Sequence, residues 1–251
     1  MSLGCRQVSI QVAGRRLISE LTFQIEPGQC WAMLGQNGAG KTSLLHTLAG
    51  LRPADGGEVA LDGKPLAARK SREIARRIGM LFQDESADYW GSTLEFVLLG
   101  RFPHRDTDSE ARQRAYRSLA RLDLAGHADQ PYRTLSGGER QRARIVQLLL
   151  QDPTFLLLDE PLNHLDLRHL AAVMEMLKSL ATAGKAVLMT LHDPLIAARY
   201  CERAVLLYDA GRAESGYASE MLTRQKLEAL YQCRLEPLDG SGVQAFFPSP
   251  R

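Results

Sequence analysis

The sequence predicts an α/β fold in which helices cover a parallel sheet, with an antiparallel β subdomain near the N-terminus and a helical subdomain inserted in the chain. Strand-like apolar runs alternate with helical stretches from residue 154 onward, which is the pattern of a parallel sheet. Earlier, the apolar run 30–34 leads through a glycine cluster into a helix-forming stretch. With 251 residues, 45% of them apolar, the chain can bury a full core without disulfides or a metal.

The N-terminal third favours strands before the first helix. Residues 8–12 and 21–25 alternate apolar with polar side chains, whereas residues 30–34 are continuously apolar, as in a strand buried on both faces. In chain order we expect strands at 8–12, 21–25 and 30–34, a helix at 42–51, a hairpin with its turn at 62–63, a helix at 69–77 and a strand at 78–83.

The middle of the chain changes character, because residues 84–150 are rich in charged, helix-forming side chains. It contains a run of arginines at Arg105, Arg112, Arg114, Arg117 and Arg121. We interpret them as the solvated face of a helix rather than as a binding patch. Further on we predict strands at 155–159, 186–192 and 204–208, helices at 167–183 and 194–201, and a loop at 241–251, where two prolines occur.

Charge and cysteine content narrow the function classes. The formal net charge of +2 gives no electrostatic reason to expect nucleic acid as a partner. No apolar run is long enough to span a bilayer, and residues 1–6 lack the apolar core of a signal peptide, so we expect neither feature. The scattered cysteines, Cys5, Cys30, Cys201 and Cys233, are expected to be reduced packing residues of a cytoplasmic protein.

A phosphate-binding loop is the strongest motif in the chain. The run Gly35-Gln36-Asn37-Gly38-Ala39-Gly40-Lys41-Thr42 matches GxxxxGK[ST] and lies between a predicted strand and a predicted helix. In such a loop backbone N–H groups surround phosphate oxygens, Lys41 adds a positive charge, and the Thr42 hydroxyl is placed to bind Mg²⁺. The alternative is a glycine-rich turn with an incidental lysine.

Two further motifs point to nucleotide chemistry. The apolar run 155–158 ends in Asp159 and Glu160, which places one carboxylate to hold Mg²⁺ and the next to polarise an attacking water. In Leu135-Ser136-Gly137-Gly138-Glu139, Ser136 and Glu139 form the pattern of a helix capping box. A capping box does not need two glycines, so Gly137 and Gly138 suit a second anion site at the start of this helix.

Together these motifs resemble those of the ATPase subunits of ATP-binding cassette (ABC) transporters, whose signature is LSGGE. Lys41, Gln83, Ser136, Asp159 and His192 occur in the family order, and the resemblance covers residues 3–235. It implies a single ABC ATPase domain with a P-loop NTPase (RecA-like) core. The implied division is a core with its β subdomain at 1–83 and 151–214, a helical signature subdomain at 84–150 and a C-terminal tail at 215–251.

The resemblance also implies residue roles. Gln83 is the Q-loop glutamine, His192 the switch histidine and Asp166 the D-loop aspartate; Glu160, His192 and Gln83 are the catalytic residues, and Thr42, Gln83 and Asp159 hold Mg²⁺. ATP is bound by Gly35, Asn37, Gly38, Ala39, Gly40, Lys41, Thr42, Ser43, Ser136, Gly137, Gly138 and Asp166. Because the phosphate loop and the signature belong to different subdomains, two copies are expected to close head to tail around two ATP molecules.

This sequence departs from the family pattern at a few positions. Val12 stands where an aromatic residue commonly stacks on adenine, which puts adenine stacking in doubt. Asn163 and His164 replace the more usual small residues of the D-loop. The loop ends Lys41-Thr42-Ser43 rather than Lys-Ser-Thr, a swap that keeps both hydroxyls.

The stretch 94–104 resembles the V-x-x-G-R-x-P-H sequence of importer ATPases for ferric siderophores, haem and vitamin B12. The alternative interpretation of Arg101 and His104 is that they are loop residues after a helix with no ligand role. The importer group implies polytopic membrane permease subunits, an indirect periplasmic substrate-binding protein and a place on the cytoplasmic face of the cell membrane. Tyr89, Trp90 and Gly91 are then either a permease docking site or packing residues. A soluble ABC ATPase in translation or macromolecular assembly, or an exporter ATPase, is the alternative.

Overall fold

The computed structural model describes residues 1–83, 89–104, 109–238 and 245–248. The strands are β1 (Leu3–Val12), β2 (Arg15–Ile25), β3 (Cys30–Gly35), β4 (Gly56–Leu61), β5 (Lys64–Pro65), β6 (Ile78–Leu81), β7 (Phe155–Leu158), β8 (Ala186–Thr190), β9 (Arg203–Leu207), β10 (Ala213–Tyr217), β11 (Leu235–Leu238) and β12 (Ala245–Pro248). The α-helices are α1 (Lys41–Leu48), α2 (Ser71–Arg77), α3 (Thr93–Leu98), α4 (Ser109–Arg121), α5 (Gly137–Gln151), α6 (Leu167–Thr182), α7 (Pro194–Tyr200), α8 (Ala218–Met221) and α9 (Arg224–Tyr231).

A six-stranded sheet forms the centre of the fold, in the order β10-β9-β3-β8-β7-β6. Its strands pair in parallel from β9 to β6, and only β10 at the edge is antiparallel to its neighbour. Every residue of β3, β7 and β8 is buried, which explains why these strands are continuously apolar in sequence. The predicted α/β fold is therefore confirmed.

A four-stranded antiparallel sheet, β2-β1-β4-β5, forms the predicted β subdomain. Strands β1 and β2 pair from Leu3↔Ile25 to Val12↔Arg15, and so extend beyond the predicted 8–12 and 21–25. The pairing register shifts within β1, and the backbones of Gln7 and Glu20 have φ angles of 50° and 49°. These irregularities interrupt the apolar–polar alternation, so the sequence pattern marks only the C-terminal half of each strand.

Helices α3, α4 and α5 lie between β6 and β7 in the chain and pack on one another. On α4 the side chains of Ala111, Ala115 and Leu119 are buried at four-residue spacing. The opposite face carries the arginines: Arg112, Arg117 and Arg121 are exposed, as predicted, and Arg114 is half-buried. Arg105 lies outside the described residues.

The segment from residue 215 onward is more ordered than a tail. Leu222, Leu227 and Leu230 are buried in the same core as the central sheet. The prediction of a loop at 241–251 is wrong for 245–248, which pair with 235–238 as a two-stranded ribbon. Prolines are tolerated there because both strands of such a ribbon are edges. The other residues predicted in that loop, 241–244 and 249–251, lie outside the described residues.

The cysteines are unpaired thiols, and three of them pack in the interior as predicted. Burial raises the pKa of the Cys5 thiol to about 12. The Sγ atoms of Cys30 and Cys201 lie 3.6 Å apart within the core beside β3.

Candidate functional site

The order of the strands brings the sequence motifs to one edge of the central sheet. The phosphate loop follows β3, His192 follows β8, Asp159 follows β7, and Gln83 follows β6. Since β3, β8, β7 and β6 are consecutive neighbours and run in parallel, the segments after their C-terminal ends lie side by side. Residues as far apart in sequence as Gly35 and His192 thus meet at the edge where ligands bind in open α/β sheets.

The phosphate loop turns from β3 directly into α1. Gly40 caps the helix with a φ of 101°, a backbone conformation open to glycine, and a Cβ atom there would lie 3.0 Å from the Leu17 Cβ atom. Thr42 and Ser43 follow in the first helical turn, where backbone N–H groups have no acceptor within the helix. Gly38 and Asn37 are exposed at the loop tip, whereas Gly35 and Ala39 are buried.

Lys41 is a buried cation held by neutral groups. Its Nζ atom donates to the carbonyl oxygens of Gly35 at 2.8 Å and Gln36 at 3.1 Å. Burial lowers the pKa of Lys41, while the negative charges of Glu160 and Asp159 act in the opposite direction. A buried ammonium whose direct partners are carbonyl oxygens is complementary to an anionic ligand, which is what a nucleotide phosphate requires.

Asp159 is almost completely buried, and both of its carboxylate oxygens accept hydroxyl hydrogen bonds. Thr42 Oγ1 donates to one oxygen at 2.6 Å, and Thr190 Oγ1 donates to the other at 2.8 Å. The Thr190 hydroxyl also accepts the backbone N–H of Glu160 at 2.6 Å. Sequence reasoning missed Thr190. A polar residue at the end of the apolar run of β8 could have indicated a role at the site. The carboxylate and hydroxyl oxygens of Asp159 and Thr42 are the hard donors that Mg²⁺ prefers, so the site fits this ion.

Glu160 is held from two sides. His192 Nε2 lies 2.9 Å from Glu160 Oε1, and Asn163 Nδ2 donates to Oε2. Burial raises the pKa of Glu160, but the hydrogen bonds from Asn163 and His192 outweigh it, so that the pKa lies below its ordinary value. The carboxylate is therefore oriented and ionised. Asn163, noted in the sequence only as a departure from the family pattern, is part of this arrangement.

The predicted capping box at the start of α5 is confirmed. Ser136 Oγ accepts the N–H of Glu139 at 3.3 Å, and Glu139 Oε2 accepts the N–H of Ser136 at 2.7 Å. The hydrogen bond from the Ser136 backbone holds the pKa of Glu139 below its usual value. The helix start faces the segment after β7, because a Cβ atom on Gly138 would lie 2.8 Å from the carbonyl oxygen of His164. Gly138 is thus needed for a close backbone approach within this chain.

Asp166 and Val12 each lie at the end of an element, Asp166 at the start of α6 and Val12 at the end of β1. Asp166 caps α6, where its Oδ1 accepts the N–H of His169 at 2.9 Å; this bond lowers the pKa of Asp166. Val12 ends β1 and is 39% exposed beside the hairpin turn to β2.

Gln83 is exposed just after β6, and its backbone is tied to α5. Arg144 donates to the carbonyl oxygens of Phe82 and Gln83, and Gln141 Nε2 donates to the carbonyl oxygen of Pro161 at 3.0 Å. Helix α5 therefore contacts the segments after both β6 and β7. Sequence reasoning missed Gln141 and Arg144, whose burial does not follow from residue type.

Arg101 and His104 have a structural role at the other end of α5. Arg101 is 5% exposed and its Nη1 donates to the carbonyl oxygen of Leu150 at 2.9 Å. His104 Nε2 lies 2.8 Å from the carbonyl oxygen of Gln151. Both side chains satisfy carbonyl groups that the last helical turn leaves without N–H partners.

The two aromatic residues before α3 differ in environment. Tyr89 packs against Phe96 and Tyr132, with ring centroids 5.5 and 6.2 Å away. Trp90 is 76% exposed, and the Arg133 guanidinium lies 4.2 Å from its ring centroid. Leu99 and Phe102, later in the helical insertion, are also exposed apolar side chains. Among the helices of the described ranges, none has the length and apolar character needed to cross a membrane.

Comparison with known proteins agrees with this geometry. A family model described as ABC transporter matches residues 18–163. The hemin import ATP-binding protein HmuV of Myxococcus xanthus (strain DK1622) is 38% identical over 251 residues, covering 96% of this chain and 94% of the relative. HmuV of Pseudomonas entomophila (strain L48) is 40% identical over 221 residues, covering 86% of each. A solved structure described as an inward-facing conformation of a metal-chelate type ABC transporter contains a similar chain, with a TM-score of 0.83 and 27% identity. The match covers 100% of this chain and 98% of the solved chain.

Proposed function

This chain belongs to the ABC transporter family, and we propose that it is the ATP-hydrolysing subunit of an importer whose cargo is haem. ATP binding and hydrolysis coupled to transport follow from the family. The observation that carries haem as the cargo is the similarity, along almost the whole chain, to hemin import ATP-binding proteins of two bacteria. Similarity to a chain described as a metal-chelate type ABC transporter supports the wider class of metal chelates.

The phosphate loop binds the ATP phosphates in this proposal. Lys41 supplies a buried positive charge, and the N–H groups from Asn37 to Ser43 at the start of α1 supply hydrogen-bond donors. The hydrogen bond between Thr42 and Asp159 supports a site in which these two residues, with Gln83, would hold Mg²⁺. Mg²⁺, when bound, neutralises charge on the phosphate oxygens.

Glu160 accepts the proton of the water that attacks the γ-phosphate. His192 and Asn163 each donate to one of its oxygens, so the carboxylate keeps a fixed orientation at the end of β7. Thr190 fixes the backbone of Glu160 as well as the Asp159 carboxylate, and so couples the two acidic groups. The chemistry needs only positioning and a proton acceptor from these residues.

Two copies of the chain close around two ATP molecules in this proposal. Ser136, Gly137 and Gly138 begin α5 on the helical insertion, where the backbone N–H groups of the first turn can meet a phosphate held by the other copy. Asp166 of the D-loop lies at the same interface between the two copies in this proposal. ATP bound between copies favours the dimer, and hydrolysis releases it.

The membrane partner is a polytopic permease, with a periplasmic substrate-binding protein acting through it. Trp90, Leu99 and Phe102 are exposed apolar side chains of the helical insertion, and such side chains suit a protein contact. The protein then works at the cytoplasmic face of the cell membrane. A translation factor would instead co-purify with ribosomes, and an exporter subunit with a permease that moves cargo outward.

Growth on hemin tests the cargo. A strain whose chromosomal copy carries Lys41→Ala should lose hemin uptake and fail to grow with hemin as the only iron source. Lys64→Ala, which alters an exposed lysine in the β4–β5 hairpin, is the matched control and should grow normally. Normal hemin uptake by the Lys41→Ala strain, together with loss of ferric siderophore or cobalamin uptake, would show that haem is the wrong cargo.

A further inference from the structure

The C-terminal helix α9 touches the candidate ATP site at two consecutive residues. Leu230 and Tyr231 form the end of this helix. Leu230 meets the phosphate loop, and Tyr231 meets the segment that follows β8. A part of the chain that the sequence assigns to a tail is therefore in direct contact with two of the loops that surround the nucleotide.

The first contact fixes the phosphate loop. Gln36 Nε2 donates to the carbonyl oxygen of Leu230 at 2.9 Å. This carbonyl belongs to the last turn of α9, where no N–H of the helix itself is available. The carbonyl oxygen of the same Gln36 accepts a hydrogen bond from Lys41 Nζ at 3.1 Å. Gln36 thus joins α9 to the residue that carries the positive charge of the loop.

The second contact joins α9 to the backbone of the switch histidine. The Tyr231 hydroxyl donates to the backbone carbonyl oxygen of His192 at 3.4 Å, and the His192 ring lies 2.9 Å from Glu160. The Tyr231 ring packs against the main core, and burial raises the pKa of its hydroxyl, which therefore stays a protonated donor at neutral pH.

Helix α9 is itself firmly attached. Leu227 and Leu230 are buried, and Lys226 Nζ lies 2.7 Å from Glu214 Oε2 on β10. Glu228 Oε1 accepts the backbone N–H of Leu235 at 2.9 Å, which fixes the chain beyond the helix. A helix anchored in this way can hold the two loops at a set separation.

We propose that α9 is a positioning element of the ATPase site, in which Gln36 and Tyr231 tie the phosphate loop and the switch segment to one rigid helix end. Gln36 and Tyr231 are positioning residues, since they act through Lys41 and His192 rather than on the nucleotide. This inference rests on the proposed ATPase function. The proposal leads to two separate predictions: loss of the Gln36 contact should affect nucleotide binding, and loss of the Tyr231 contact should affect the hydrolytic step.

Steady-state ATP hydrolysis by the purified full chain tests the proposal. Tyr231→Phe keeps the ring and removes one hydrogen bond, so kcat should fall about three- to fivefold with KM for ATP unchanged. Gln36→Met should raise KM by a similar factor with a smaller change in kcat. Tyr208→Phe is the matched control: within the described residues the buried Tyr208 hydroxyl has no hydrogen-bond partner, so its removal should leave both constants unchanged.

A double substitution separates positioning from general stability. If Tyr231 acts through His192, Tyr231→Phe should have no further effect on kcat in a His192→Ala background. An unchanged kcat in Tyr231→Phe alone, or equal losses in the two backgrounds, would overturn the proposal. A wild-type chain that hydrolyses no ATP would instead count against the proposed function, so the two failures are distinguishable.

Discussion

Thr190 Oγ1 donates to Asp159 Oδ1 at 2.8 Å and accepts the backbone N–H of Glu160 at 2.6 Å, so one buried hydroxyl links the two acidic residues of the site. The link crosses between neighbouring parallel strands, from the end of β8 to the end of β7. Thr190 is fully buried, so its hydroxyl is shielded from solvent. The orientation of the Asp159 carboxylate and the backbone position of Glu160 therefore depend on a strand residue outside every recognised motif.

Thr190→Val tests this dependence. The substitution keeps the shape of the side chain but leaves Asp159 Oδ1 and the Glu160 N–H without the hydroxyl, which should cost about 1–3 kcal/mol in the free energy of unfolding. The rate of ATP hydrolysis should fall as well. Urea denaturation measures the free energy of unfolding, and phosphate release measures the rate of hydrolysis. Thr190→Ser keeps the hydroxyl and should restore most of the activity. Wild-type stability and activity in Thr190→Val would contradict the assigned role.

Glu160→Gln tests the proton acceptor. The amide has the shape of the carboxylate but cannot take up the proton, so ATP should still bind while hydrolysis falls at least about 100-fold. The ATP-bound dimer should persist, which size-exclusion chromatography with ATP detects. Glu175→Gln changes an exposed carboxylate on α6 and should behave as wild type. Unchanged phosphate release from Glu160→Gln would remove Glu160 from this role.

Gly138→Ala tests the close approach between α5 and the segment after β7. The added Cβ atom would lie 2.8 Å from the His164 carbonyl oxygen, a backbone atom that cannot move aside easily. We expect a loss of about 1–3 kcal/mol in the free energy of unfolding, together with lower ATPase activity.

Gly126→Ala is the control for this prediction, because among the described residues beyond its local backbone no heavy atom lies within 4 Å of the added Cβ atom. Thermal denaturation of both variants gives the comparison. Equal unfolding temperatures would show that the backbone contact of Gly138 does not matter for stability.

The sequence was sufficient for the parts of the site whose chemistry is carried by local motifs. The phosphate loop, the strand that ends in Asp159 and the capping box of Ser136 are each defined by residues close together in the chain. Their meeting at one sheet edge follows from the parallel order of β3, β8, β7 and β6. The alternation of strands and helices predicts such a sheet, although not the order of its strands.

The contacts that sequence reasoning missed join residues distant in the chain by ordinary polar groups. Thr190 resembles any strand threonine, and Arg101 resembles any surface arginine until its hydrogen bond to Leu150 is known. Leu230 contributes only a backbone carbonyl to the phosphate loop, which no side-chain pattern reveals. Such partners depend on tertiary packing, and neither periodicity nor composition predicts them.

Arg101→Met tests the structural interpretation of the importer-like stretch 94–104. The buried guanidinium caps the C-terminal end of α5 through the Leu150 carbonyl oxygen, so its loss should cost about 1.5–3 kcal/mol in the free energy of unfolding. Methionine fills a similar volume, which limits the effect of a cavity. Arg121→Met, at an exposed position of α4, should leave the stability unchanged. Urea denaturation measures the free energy of unfolding of both variants. Equal stability of the two would rule out the capping role.

Trp90→Ala tests the exposed aromatic surface as the permease contact. Because the Trp90 ring is 76% exposed and lies along the Arg133 guanidinium, its removal should not disturb the ATP site. ATP hydrolysis by the isolated chain should stay within about twofold of wild type, whereas hemin uptake by cells should be lost, as for an interface hot spot. Tyr116→Ala removes another exposed aromatic side chain, on α4, and should support normal uptake. Normal uptake with Trp90→Ala would place the permease contact elsewhere, and loss of ATPase activity would show that Trp90 supports the fold of the site instead.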